Sequence, residues 1–247
     1  MKRVLIVGAT SAMAHEAAKH FASDGDKLFL VGRSADKLQS IVDDLKVRGA
    51  AQVESALLDL TEMDRHAELL ENAQRTLGGL DILLIAYGIT PVHEEVERSV
   101  EKMLDTFTTN ALSVIALLTV AAPLFEQQKQ GTIAVISSVA GDRGRQSNYV
   151  YGAAKAALST YLEGMRSRLY KSGVTVVTIK PGLVDTPMTA HLKKGPLFAS
   201  AARAGEDIYK AIIKGKDTAY VPFFWMPIMT VIKLIPEAIF KRLNLSA

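Results

Sequence analysis

The sequence predicts an α/β fold: one domain built on a doubly wound parallel sheet of about seven strands. Three observations carry that expectation. Short runs rich in Val, Ile and Leu recur along the chain between turn residues, as strands buried on both faces require. Segments with helical spacing of apolar residues separate those runs, the order of repeated strand–helix–strand units. The first run opens through a glycine straight into a helical segment, which gathers backbone N–H groups at a helix N-terminus.

Composition narrows the function classes. At 247 residues and 49% hydrophobic, the chain suits a single domain with an ample core. It contains no cysteine, which excludes disulfides and thiolate metal sites and fits a reducing cytoplasm. A net charge of +3 is mildly basic and far from the footprint of a nucleic-acid binder. The N-terminus enters a strand at once, without the pattern of a cleavable signal.

Taken in order, Val4 to Val7 is the first strand, followed by Gly8-Ala9-Thr10-Ser11-Ala12-Met13-Ala14 and a helix to about Ser23. Such a turn seats a pyrophosphate, although a lone glycine after a strand is also an ordinary turn. Leu28 to Val31 is the second strand and ends in Gly32-Arg33-Ser34. An acid there would hold a ribose 2′-hydroxyl, whereas Arg33 suits a 2′-phosphate; a solvated flanking charge is the other reading. Ala35 to Arg48 is an amphipathic helix, and Gln52 to Leu58 the third strand. Asp59-Leu60-Thr61 follows, and Asp59 or Thr61 would also serve as cap for a helix from Glu62 to Leu77. Asp81 to Ala86 is the fourth strand, leading into Ala86-Tyr87-Gly88. Ser99 to Gln128 reads as one long helix with Asn110 near its middle, an unfavourable place for asparagine.

The stretch from Ser137 to Lys155 carries the chemistry. Thr132 to Ile136 is the fifth strand, and Tyr151 to Tyr170 an alanine-rich helix. Tyr151 and Lys155 stand four apart, so they share a helix face one turn from each other. An ammonium near a phenol favours the phenolate and brings a donor and acceptor of protons nearer neutral pH. Ser138, at the strand's carboxyl end, adds a hydroxyl for the same substrate oxygen. Tyr and Lys at this spacing also occur by chance in helices. Taken with the strand, the serine thirteen residues earlier and the N-terminal turn, the pair reads as a site for carbonyl reduction or alcohol oxidation.

Beyond it, Val174 to Ile179 is the sixth strand and leads to Lys180-Pro181-Gly182-Leu183-Val184-Asp185-Thr186. Residues 187–203 lack periodicity and carry His191, Lys193 and Lys194, which suit either a solvated loop or an anionic group. Glu206 to Lys214 is a short helix, and Thr218 to Val221 the last strand. The domain therefore spans 1–221, with an apolar, basic tail at 222–247 that is too short for a membrane span. Trp225, the neighbouring phenylalanines, Lys233, Lys241 and Arg242 fit a segment lying on a bilayer through 222–245. Packing between subunits is the alternative. His15, His20, His66 and His93 share no metal-ligand spacing, so no metal is expected.

These motifs together, from Val4 to about Val221, resemble the short-chain dehydrogenase/reductase family. The resemblance implies a Rossmann fold and a catalytic set of Asn110, Ser138, Tyr151 and Lys155. It implies NADP(H), preferred over NAD(H), held by Gly8, Thr10, Ser11, Ala12, Met13 and Arg33. Asp59, Leu60, Ala86, Tyr87 and Gly88 would continue that site. Tyr151, Lys155, Pro181, Gly182, Val184 and Thr186 would complete it around the nicotinamide. Asn110 is implied to hold a water that links the lysine to solvent. The chain departs from the family at Ala12 and Ala14, where glycines are usual, and at Ala86, where asparagine is usual. Arg143 to Lys155, Thr186 to Lys193 and Ile235 to Leu243 resemble one branch, the decaprenylphosphoryl-2-keto-pentose reductases. That likeness implies a ketone on a polyprenyl-phosphate-linked sugar, a cytoplasmic enzyme with peripheral membrane contact, and a homodimer or homotetramer. A soluble reductase of acyl, steroid-like or small carbonyl substrates, and a non-catalytic NADPH sensor, are the other classes the residues admit.

Overall fold

The computed structural model describes residues 1–243; the last four positions of the tail, 244–247, lie outside the described residues. The first half of the chain runs β1 (Arg3–Val7), α1 (Ala12–Ser23), β2 (Lys27–Gly32), α2 (Ala35–Val47) and β3 (Gln52–Leu57). It continues with α3 (His66–Leu77), β4 (Ile82–Ile85), α4 (His93–Val96), α5 (Val100–Phe107) and α6 (Ser113–Gln128). The second half holds β5 (Thr132–Ile136), α7 (Tyr149–Tyr170), β6 (Thr175–Pro181), β7 (Val184–Asp185) and β8 (Ala199–Ser200). Last come α8 (Ala201–Ile213), β9 (Thr218–Val221), α9 (Trp225–Leu234) and α10 (Glu237–Phe240).

Seven strands form one sheet in the order β3-β2-β1-β4-β5-β6-β9, every pair parallel. Successive side chains of a strand point to opposite faces, and both faces are covered, so the strands are apolar throughout. Val4 and Ile6 meet α1, α2 and α8 on one side, with Phe21 and Ile208 in that layer. Leu5 and Val7 meet α3, α6 and α7 on the other, with Phe125 and Leu158. The chain order reverses between β1 and β4, which opens a crevice at their carboxyl ends.

Four expectations change. The long helix expected from Ser99 to Gln128 is two helices joined by a π-helical turn at Thr108–Leu112. Asn110 sits in that turn, its Nδ2 donating to the Thr106 carbonyl at 3.0 Å, so the asparagine marks a distortion of the helix. By length and composition alone Val100–Gln128 would pass as a membrane span, yet it packs against α3 and α7. Neither Asp59 nor Thr61 caps α3, which begins only at His66 after a short 3₁₀ turn. The unpatterned stretch 187–203 ends earlier than its sequence suggests, because Ser200 caps α8 by accepting from the Arg203 N–H at 3.2 Å. The tail is folded onto the domain: Trp225 and Met229 are buried against Val139. An indole that is 5% exposed cannot anchor a bilayer surface, which removes Trp225 from that role.

The start of β1 is tied to the loop before β4. Asp81 accepts from the Arg3 backbone N–H and Nε, both at 2.9 Å, and from its terminal nitrogen at 2.6 Å. The Arg3 guanidinium holds the Asp81 carboxyl below the usual carboxylate range. A depressed folded-state value contributes stability above the unfolded carboxylate pKa of about 4, and that stability is lost as pH falls through the folded value. Asp81→Ala should therefore cost about 1–3 kcal/mol at pH 7. Thermal melts of both proteins between pH 7 and pH 3 should converge at the acid end; a constant gap would remove the pair from the stability of the fold.

Candidate active site

Two adjoining cavities occupy the carboxyl edge of the sheet. The first, of about 300 Å³, is built around the turn after β1. Gly8 has a φ of +83° there, and a β-carbon on it would stand 2.7 Å from the Tyr87 backbone nitrogen, so no other residue fits. Ser11 occupies the N-cap of α1 without bonding its N–H groups, which leaves that helix end free for an anion. Thr10, Ser11, Ala12 and Met13 line the cavity. Ala14 does not: it is fully buried in the core, so only Ala12 of the two substituted glycine positions lines the cavity.

The far end of this cavity is closed by Gly32, Arg33, Asp59, Leu60 and Thr61. Asp59 accepts from the Thr61 N–H at 3.0 Å and its hydroxyl at 2.8 Å. Those bonds, the Thr61 N–H foremost, hold the Asp59 carboxyl below its ordinary range. Arg33 meets the same carboxylate at a longer 3.3 Å and stays 67% exposed, a pair too open to hold the guanidinium firmly. Ala86, Tyr87, Gly88 and Thr186 form the wall toward the second cavity and line both.

The second cavity, of about 450 Å³, holds Ser138, Tyr151 and Lys155, with Pro181, Gly182 and Val184 on its β6 side. Ser138 follows β5 in extended backbone and caps the 3₁₀ turn Val139–Gly141 by accepting from the Ala140 N–H at 3.0 Å. α7 is fastened behind it. Ser137 donates to the Lys155 carbonyl at 3.1 Å and pairs with the Ser159 hydroxyl at 2.8 Å. Lys155 is 3% exposed; its Nζ lies 5.9 Å from the centroid of the Tyr151 ring and donates to the Ile136 carbonyl at 3.3 Å. Trp225 rests on Gly182 and also lines this cavity.

Asn110 lines neither cavity. It is fully buried behind Gly88, where its Oδ1 accepts from the Ile89 N–H at 3.1 Å. Gly88 makes that arrangement possible, since a β-carbon there would stand 2.6 Å from Asn110 Oδ1 and 3.4 Å from Lys155 Nζ. The π-turn carries Asn110 inward, where a regular helix pattern gives no sign that it would be buried.

Electrostatics differ from the simple phenol–ammonium picture. Burial pushes the Tyr151 phenol up, opposed by the Ser138 hydroxyl, the positive Arg145 and the Thr90 hydroxyl in that order. Burial also pushes the Lys155 ammonium down to about 8. Desolvation thus outweighs the mutual attraction expected from their spacing. Thr90 and Arg145 had no sequence signal; one follows an ordinary strand end, and the other sits among polar turn residues. The lysines of the 187–203 stretch stay outside: Lys194 pairs with Asp185 at 2.7 Å on the surface, and of His191, Lys193 and Lys194 only His191 lines the cavity.

The pattern of the short chain dehydrogenase family matches residues 2–196, most of the chain. The protein belongs to that family. It is an oxidoreductase of the short chain dehydrogenase type. An uncharacterized oxidoreductase of Mycobacterium tuberculosis is 28% identical over 240 residues, covering 97% of this chain and 96% of its own. One from Myxococcus xanthus is 29% identical over 240 residues, covering 97% and 94%. One from Staphylococcus aureus is 31% identical over 189 residues, covering 76% and 80%. Among solved structures, a tryptophan variant of actinorhodin polyketide ketoreductase with NADPH superposes with a TM-score of 0.79. At 20% identity, over 89% of this chain and 95% of that one, it shares the fold.

Burying Lys155 in this dehydrogenase has a thermodynamic signature. The folded state holds its proton less tightly than the unfolded chain, whose lysine pKa is about 10.4. The cost is full below about 8 and fades as pH rises toward the unfolded value. Lys155→Met should therefore melt several degrees higher than the parent at pH 7, with the gap closing by about pH 10. A lower melting temperature for the variant at pH 7 would contradict the burial penalty.

Proposed function

We propose that this short chain dehydrogenase reduces a ketone to a secondary alcohol with NADPH. The observation that carries the reading is the convergence of Ser138, Tyr151 and Lys155 in a cavity continuous, through Ala86, Tyr87 and Gly88, with the Gly8 turn and Arg33. The residues present fit a dinucleotide: a glycine turn that a β-carbon would fill, a free helix N-terminus and a basic group at the far rim. Arg33 would take the 2′-phosphate in place of its loose bond to Asp59. The NADPH in the ketoreductase of the same fold favours the same nucleotide here. That nucleotide supplies a hydride to the carbonyl carbon.

The chain supplies the proton and its control. Burial keeps the Tyr151 phenol protonated through neutral pH, which is the form that donates to the carbonyl oxygen. Ser138 hydrogen-bonds that oxygen as charge develops. Lys155 holds the nicotinamide ribose and steadies the phenolate left behind, and Asn110 anchors the route by which the proton is replaced. With these four residues assembled, a non-catalytic sensor is the weaker reading.

For the substrate, we infer the keto group of a sugar joined through phosphate to a polyprenyl chain. The likeness of the loop and tail to that branch supports it, as does the exposure of Phe223, Val231, Leu234 and Ile239 beside Lys233 and Arg242. The reading places the protein in the cytoplasm against the membrane. A soluble ketone reductase would instead bury the same apolar residues between subunits of a homodimer or homotetramer. Flotation of the whole protein with anionic vesicles separates the two, because only the first reading predicts association.

Tyr151→Phe should lower turnover of any reduced ketone by about 100-fold or more while NADPH affinity stays within roughly twofold. Retained turnover would remove Tyr151 as the proton donor. Arg33→Ala should weaken NADPH binding about tenfold and leave NADH binding nearly unchanged, as read by fluorescence titration. Equal losses for both nucleotides would overturn the 2′-phosphate contact.

A further inference from the structure

The cavity around Tyr151 contains a strong cation that the proposed reaction does not use. Arg145 lines it, and its charge lies close enough to the Tyr151 phenol to favour the phenolate. Among the described residues Arg145 forms no ion pair with a carboxylate, and its Nε is buried without a hydrogen-bond partner. It is not alone in that. Six buried side-chain polar atoms lack hydrogen-bond partners among the described residues, and four of them belong to residues lining this cavity, although His93 Nε2 lies 3.7 Å from the Glu97 carboxylate. They are His93 Nε2, Arg145 Nε, Asn148 Oδ1 and Trp225 Nε1.

The residues flanking Arg145 show the opposite behaviour. Arg143 donates to the carbonyls of Ile232 at 2.7 Å and Ile235 at 2.6 Å, pairs with Glu237 at 3.0 Å, and lies 3.7 Å above the Phe240 ring. Asp142 holds Lys180 at 2.6 Å and accepts from the Tyr220 hydroxyl at 2.7 Å. The segment is therefore fastened on both sides of its turn to β6, β9 and the tail, while Arg145 is left facing the cavity. A guanidinium remains charged at any physiological pH, and Arg145, partly buried, has no counter-charge among the described residues. The acid in the cavity lining, Glu94, is exposed and forms no pair with it among the described residues. Arg145 does not line the first cavity, so the phosphates of a nucleotide seated there are not its partners.

We propose that Arg145 is a specificity-determining residue that pairs with an anionic group of the ketone substrate, a phosphate or a carboxylate, and so sets the carbonyl against Tyr151. The inference rests on the ketone-reductase reading and deepens it. A planar guanidinium offers two parallel N–H donors to such a group, fixing both its position and its orientation. Asn148 and Trp225 line the same cavity and each carries a buried polar atom without a hydrogen-bond partner, an acceptor and a donor.

The test is steady-state kinetics with NADPH on two matched pairs: dihydroxyacetone phosphate against dihydroxyacetone, and benzoylformate against its methyl ester. The whole protein should prefer the charged member of at least one pair by about tenfold or more in kcat/KM, and the pair that responds identifies phosphate or carboxylate. Arg145→Gln should lose about 30-fold or more on that charged member and change less than about threefold on its neutral partner, with Arg145→Lys restoring part of the loss. NADPH affinity should not move. Equal losses on charged and neutral ketones, or no preference in the parent protein, would overturn the proposal. If the parent reduces none of the four, the ketone-reductase reading rests on the Tyr151→Phe test above, and binding decides Arg145 separately. Dihydroxyacetone phosphate and benzoylformate are then titrated by calorimetry into the parent and Arg145→Gln. An anion bound by the parent and lost in the variant supports the pairing, and identical titrations reject it.

Discussion

A parallel sheet puts all its strand ends of one kind on one edge, and here every functional residue depends on that constraint. Each strand must return through a helix before the next can begin, so the carboxyl ends of β1, β2, β4, β5 and β6 collect where their loops begin. The reversal of strand order between β1 and β4 keeps the loops there apart and leaves a crevice. Gly8 and Gly88 are the first residues of consequence on its two sides. Both must lack a β-carbon because the neighbouring backbone or Asn110 occupies the space one would need.

Burial governs the chemistry of the site more than pairwise attraction does. Tyr151 and Lys155 share a face of α7 and lie deep enough that burial pushes each toward its uncharged form. A phenol held protonated suits donation to a carbonyl, and an ammonium held near its titration point responds readily to whatever negative charge arrives beside it. The π-turn at Thr108–Leu112 serves the same end. It costs regular hydrogen bonding within a helix and turns Asn110 toward Gly88 and the lysine.

The tail completes the cavity instead of hanging from it. Trp225 packs on Gly182, and Arg143 gathers carbonyls from the end of α9 and the link to α10, so the segment carrying Arg145 is held by the last part of the chain. The residues lining the second cavity therefore come mainly from loops after β4, β5 and β6 and from the tail, while the residues that would hold a nucleotide come from loops after β1, β2 and β3 as well. The two halves meet at Ala86, Tyr87 and Gly88.

What the sequence determined by itself was the strand–helix alternation, the glycine turn after β1 and the four-residue step from Tyr151 to Lys155. Each is a local pattern: period-two burial, a backbone conformation open to glycine, and one turn of helix. What tertiary structure decided was which side chains those patterns would meet. Thr90 reaches Tyr151 from the loop after β4 and Arg145 from the turn before α7, Lys194 is drawn to Asp185 at the surface, and Trp225 leaves the surface for the core. The break in the helix at Asn110 belongs to the same class, because a helical pattern continues through it. The physical reason is common to all of them. Desolvation and the contacts a loop makes depend on how the whole chain packs around it, and local spacing carries no record of either.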